Sequence, residues 1–159
     1  MVTYLQYATR VWRAALLASL VACAGPPPKK PPPTMVQAVI TVAPDVNPDA
    51  SGRPSPVVVR LLELKNLDAF QSADFFALSE RGKETLGAEL LASDEFVLRP
   101  GEQRRIERPL QDDTRFVAAI AAFRDLDRAK WRTSVPVRLN QTMAIGIDLR
   151  LREIAIVGK

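Results

Sequence analysis

Asp45, Asn47, Asp49 and Ser51 place a side-chain oxygen at every second position of "DVNPDASG". Oxygen donors at this spacing are what a hard divalent cation takes at the start of a calcium loop. The match ends there: an EF-hand loop needs glycine at its sixth position and a bidentate glutamate at its twelfth, and this chain has Ala50 and Pro56. With Pro44, Pro48, Pro54 and Pro56 alongside, the segment reads as a restrained surface loop. Within it the oxygens of Asp49 and Ser51 have a local use, capping the turn that Gly52 closes. A stiff loop has little entropy left to lose on binding, so it suits contact with a partner. Two further acid pairs, Asp112 with Asp113 and Asp125 with Asp127, are of the type that hydrolyses by paired carboxylates. Acids so closely spaced in polar turns are ordinarily just solvated. The chain has no histidine, which removes the Ser-His-Asp triad, the histidine base and the usual zinc sites. The sequence predicts no catalysis, no cofactor and no metal.

The one cysteine, Cys23, stands after a basic flank (Arg10, Arg13) and a run from Ala14 to Ala22 that is apolar apart from Ser19. This is the layout of a secretory signal peptide. Crossing a bilayer takes about 18 to 20 apolar residues, roughly twice this run, so the segment does not read as a span. A disulfide within the chain is excluded because there is no second thiol. Leu20-Val21-Ala22-Cys23 resembles the lipobox of bacterial lipoproteins. That resemblance implies removal of residues 1–22 and acylation of Cys23, for example with palmitate, as the mature N-terminus. Ala24 in place of an acid implies sorting to the outer membrane, with the protein on its periplasmic face. Residues 26–33 hold six of the thirteen prolines. At about 3.1 Å per residue in polyproline II, residues 24–34 predict a stalk of roughly 30 Å. The expected organisation is a signal peptide at 1–22, lipidated cysteine and stalk at 23–34, and a periplasmic domain at 35–159.

Loss of Arg10 and Arg13 with the signal peptide halves the formal charge of +4, so the high pI overstates any basic surface. Arg104, Arg105 and Arg108 alternate with Glu102, Gln103 and Glu107. That is a solvated strand face, and nucleic acid is not an expected partner.

The elements that must position the loop follow from period-two alternation. Trp131, Thr133, Val135, Val137 and Leu139 share one face of a strand. Met143, Ile145, Ile147, Leu149 and Leu151 share a face of the next, and Asn140-Gln141 connects the two. Pro136 demotes its strand toward an edge or a bulge. Residues 116–123, "FVAAIAAF", are apolar on both faces and predict a central strand covered on each side. Further strands are predicted at 35–42, 57–65, 95–99, 102–108 and 154–157. "RPGE" at 99–102 predicts a type II turn. Residues 67–95 are a helical interruption, with Ser72 as cap of a helix whose Phe75 and Leu78 share a face and which ends at Gly82. About eight strands and one helical excursion predict a mainly β fold, a two-sheet antiparallel sandwich with a short helical insert. Trp131 and Phe123 are expected inside it.

"GRPSPVVVRLLELKN" (52–66), "FQSADFFAL" (70–78), "LGAELLASDEFVLRPGE" (86–102) and "FVAAIAAFRDLDRAKWR" (116–132) together resemble the TssJ family, the outer-membrane lipoproteins of bacterial type VI secretion. The resemblance implies a transthyretin-like sandwich that binds the periplasmic C-terminal region of TssM, and reaches TssL indirectly within the membrane complex. It also implies that the loop between the first two strands, residues 44–56, makes the contact. The candidate contact residues there are Pro48, Asp49, Ser51, Gly52, Arg53 and Pro54. The alternative is a sandwich that binds a small ligand or glycan. It would need an aromatic-lined pocket, and aromatic residues are only 6% of the chain.

Overall fold

The computed structural model describes residues 30–158. The predicted signal peptide, Cys23 and the first half of the proline tract therefore lie outside the described residues. Strands β1 (Met35–Val42), β2 (Val57–Leu64), β3 (Leu90–Leu98), β4 (Gln103–Pro109), β5 (Phe116–Ala122), β6 (Arg132–Pro136), β7 (Thr142–Arg150) and β8 (Glu153–Gly158) form two sheets. Their orders are β4-β1-β7-β8 and β3-β2-β5-β6. Alternation does what period two requires: Val36, Ala38 and Ile40 of β1 and Ile145, Ile147 and Leu149 of β7 meet Val57, Val59, Leu61, Val117, Ala119 and Ala121 of the other sheet in one core. Each valine, isoleucine or leucine among them contributes about 1.5 to 3 kcal/mol by leaving water. The pairings are antiparallel except one: β1 runs parallel to β7, from Met35 opposite Thr142 to Val42 opposite Leu149.

Strand β5 is central and buried on both faces. Its Ala118 and Ile120 point away from the sandwich core into a second apolar cluster with Leu62, Leu64, Phe70, Leu78 and Leu86. That cluster lies beneath three short helices, α1 (Asp68–Ser72), α2 (Phe75–Glu80) and α3 (Gly82–Leu86). The helices differ in detail from the sequence reading. Asp74, not Ser72, caps α2, its Oδ1 accepting from the Ala77 N–H at 2.8 Å. Ser72 ends α1 and donates its hydroxyl to the Asp68 carbonyl. Gly82 opens α3 instead of stopping the insert. Strand β3 starts at Leu90, earlier than predicted, because residues 90–94 pair with Leu61 to Leu64 of β2. Two arginines from the sheet fix the helix ends, where carbonyls lack intrahelical partners. Arg60 donates to the Leu78 and Ser79 carbonyls, and Arg132 donates to those of Phe70 and Ala73.

Phe123 is buried as expected. Trp131 is not inside the sandwich: it is half-buried beside both clusters, edge-on to Phe75 at 5.4 Å. The "RPGE" turn forms, with Gly101 at φ 76° and the Glu102 N–H donating to the Arg99 carbonyl. Strand β6 ends at Pro136 on a sheet edge, so Val137 and Leu139 lie beyond it. Between the sheets, the buried Glu63 carboxylate accepts from Arg108, the Gln111 N–H and the Thr114 hydroxyl. Arg108 also pairs with Asp94. An edge strand of each sheet is thereby joined to β2, and the buried charge has the hydrogen bonds it requires. Among the described residues no helix is long and apolar enough to cross a membrane.

Candidate partner-binding loop

Because β1 crosses the whole sheet, its two ends lie at opposite poles of the sandwich. At one pole is Thr34, whose hydroxyl accepts from the Asn140 N–H and whose carbonyl accepts from the Leu110 N–H. At the other, residues 43–56 connect β1 to β2. All six candidate contact residues lie in this second segment, together in one turn.

The turn is built on Asp49. Its Oδ1 accepts the Ser51 and Arg53 N–H groups at 2.8 and 3.0 Å, and its Oδ2 takes two contacts from the Arg53 guanidinium, at 2.9 Å from Nε and 2.8 Å from an Nη. The Gly52 N–H donates to the Asp49 carbonyl, and Gly52 takes φ 77°, a conformation that favours a residue without a side chain. The Arg53 N–H, foremost among these contacts, holds the Asp49 carboxyl below the usual aspartate range. The Arg53 guanidinium, the Ser51 N–H and nearby Arg124 act in the same direction against partial desolvation. The capping role read from the sequence thus belongs to the Asp49 carboxylate, with Ser51 supplying an N–H. Arg53 stays 80% exposed, so its outward face is open to a partner even while it braces the turn.

Asn47, read from the sequence only as part of the calcium-like spacing, is the residue that fastens the loop. It is buried and sits at φ 49°, a left-handed conformation that asparagine tolerates better than most residues. Its side-chain N–H donates to the Pro56 carbonyl at 2.7 Å, its Oδ1 accepts the Arg124 N–H at 2.8 Å, and its backbone N–H donates to the Leu151 carbonyl at 3.0 Å. The signal for this role was an asparagine before proline in a turn, with remote partners that no local pattern reveals. Its oxygen is therefore committed, Asp45 is exposed, and the four oxygens do not converge. Among the described residues no group of three or more acidic, histidine or cysteine side chains is placed to hold a metal.

The other acid pairs are spent separately. Asp125 faces Arg152 at 2.9 Å and Arg128 at 3.9 Å, while Asp113 pairs with Lys65 at 3.2 Å. Among the described residues, two clefts of ligand size stand out. One, of about 530 Å³, lies between the insert and β3 and is lined by Arg60, Leu78, Lys83 and Glu95 among others. The second, of about 490 Å³, opens between β6 and β7 along Val135, Val137, Met143 and Ile145. Neither is lined by an aromatic ring.

The described residues thus form a two-sheet β-sandwich that displays one braced loop at its pole. The chain belongs to the family described as type VI secretion lipoprotein, VasD, EvfM, TssJ, VC_A0113, whose model matches residues 34–153. It is similar to the crystal structure of the T6SS lipoprotein TssJ1 from Pseudomonas aeruginosa, with 47% identity and TM-score 0.79 over 80% of this chain and 98% of that one. It is also similar to Serratia marcescens Lip, a membrane-bound component of the type VI secretion system, with 29% identity and TM-score 0.74 over 80% and 98% of the two chains. A third match, with 25% identity and TM-score 0.63 over 79% and 98%, is a chain in a structure of the T6SS protein TssM C-terminal domain from EAEC. Among curated proteins none matches.

Proposed function

We propose that this type VI secretion lipoprotein is anchored through acylated Cys23 to the periplasmic face of the outer membrane. Its residues 44–56 bind the C-terminal periplasmic region of TssM, and through TssM it is joined indirectly to TssL in the membrane complex. Residues 1–22 are its signal peptide and residues 23–34 its stalk, and it carries out no chemistry of its own. The observation that carries this reading is the Asp49-braced turn, set at the far end of β1 from Thr34, where the chain arrives from the proline tract. A segment already ordered in the free protein binds without a large ordering cost. The match to a chain in a TssM C-terminal domain structure supports the choice of partner. The clefts favour the small-ligand alternative less, since they lack the aromatic lining that sugars and flat ligands use.

The test is the pair Asp49→Ala with Arg53→Ala, measured against the purified TssM periplasmic fragment. Kd should rise about tenfold or more with little change in melting temperature, and unchanged binding overturns the loop as the contact. For the anchor, Cys23→Ser should move the protein from the outer-membrane to the soluble periplasmic fraction. Outer-membrane retention of Cys23→Ser, together with a wild-type mass lacking acyl groups, overturns the lipidation reading.

A further inference from the structure

A stable protein interface covers about 800 Å² on each partner, some 20 to 30 residues a side. Residues 44–56 cannot supply that alone, because Val46, Asn47 and Ser55 within them are buried. The contact must continue onto neighbouring surface, and Asn47 selects which. Through two of its three hydrogen bonds the loop is fastened to Arg124, which follows β5, and to Leu151, in the turn between β7 and β8. A fourth bond, from the Ala43 N–H to the Leu149 carbonyl, closes the same seam.

Resting on the loop reading above, we propose that the partner-binding face is a three-segment surface in which Arg124 and Leu151 flank the loop, with Asn47 as the buried positioning residue that holds the three in register. Each flank has something to offer. Leu151 is 39% exposed, and of the exposed large apolar side chains it is the one whose own backbone is bonded to the loop. Arg124 is exposed and, among the described residues, has no carboxylate in ion-pair range, whereas the neighbouring Arg128 and Arg152 both share Asp125. With the Asp49 charge already met inside the loop by Arg53, the exposed Arg53 and Arg124, the latter near enough to Asp49 to help lower its carboxyl, leave this end of the domain with two solvent-facing arginines. The surface fits a protein partner that presents carboxylates around a shallow apolar seat for Leu151. Arginine anchors of this kind are frequent interface hot spots, and opposed charge fixes the register of docking.

The experiment compares two double variants of the intact chain against the TssM periplasmic fragment. Arg124→Glu with Leu151→Asp should raise Kd by about tenfold or more while melting stays near wild type, because both side chains are exposed. If this pair binds within about twofold of wild type while Asp49→Ala with Arg53→Ala weakens binding, the three-segment face is wrong and the loop reading stands. If neither pair weakens binding, both readings fall. Asn47→Gly keeps the positive φ but deletes the carboxamide. It should slow association several-fold and raise amide hydrogen exchange at Ser51 and Arg53, although every proposed contact side chain remains. Wild-type association with wild-type exchange overturns the positioning role of Asn47.

Discussion

The helical insert and the loop at 43–56 are both segments without strand pairing, and they are ordered by opposite means. The insert is held by area: Phe70, Leu78 and Leu86 are buried against Leu62, Leu64, Ala118 and Ile120, and two arginines only close the helix ends. The loop has one apolar anchor, Val46 in the sandwich core, and its geometry is set by polar bonds from the buried Asn47 and the Asp49 carboxylate. Apolar burial is non-directional and couples a segment to global stability, whereas hydrogen bonds fix a geometry at a small net gain in free energy. The difference teaches where damage goes: a break in the insert costs folding, and a break in the loop costs shape.

The largest effect that tests this contrast is in the insert. Phe70→Ala should destabilise the domain by about 3 to 5 kcal/mol, a large part of the 5 to 15 kcal/mol typical of a domain. The measurement is denaturant unfolding. A midpoint near wild type would show that the insert is an appendage and not part of the core. Next, Trp131→Ala should cost less, about 2 to 3 kcal/mol, because the ring is only half-buried although it touches both clusters. A full core-sized loss would place it inside the sandwich after all. Arg132→Ala removes the donor shared by the Phe70 and Ala73 carbonyls. A loss of about 1 to 3 kcal/mol is expected, with faster amide exchange confined to residues 68–73, and unchanged exchange there would break the clamp. The smallest effect is in the loop and is pH-dependent. The Asp49 carboxyl is lowered in the folded protein, so its contribution is fully present above the ordinary aspartate value of about 3.9 and is lost as pH falls through the lowered one. Amide exchange at Ser51 and Arg53, corrected for intrinsic rates, should stay slow down to about pH 4 and rise only below it. A rise near pH 6 would mean that another group holds the turn.

Much of the architecture was legible because burial writes a period into the chain. Residues 116–123 are apolar at every position since Val117, Ala119 and Ala121 face one cluster and Ala118 and Ile120 the other, and only a doubly covered strand needs that. Pro136 marked an edge for the plain reason that it cannot donate to a ladder. The parallel run of β1 beside β7 left no trace, because inward-facing residues alternate identically whichever way a neighbour points. Ser72 and Asp74 are both good helix caps, and the choice between them depends on where the apolar face of α2 settles. The loop was visible through its prolines and Gly52. Asn47 was not visible as its fastening, since its partners come from Arg124 and Leu151, roughly a half and two-thirds of the chain away.

Strand β1 has one consequence of a mechanical kind. It is flanked by β4 on one side and β7 on the other along nearly its whole length, with Thr34 at its first end and the loop at its second. A pull between Thr34 and residues 43–56 therefore runs along the strand axis, across an antiparallel ladder whose bonds lie perpendicular to it and a parallel ladder whose bonds are slanted. Such a load is shear: the rungs share the force together instead of opening one after another like a zipper. The strand that joins Thr34 to the loop is thus placed as the tension member of the domain, and its resistance to extension comes from the sheet interior.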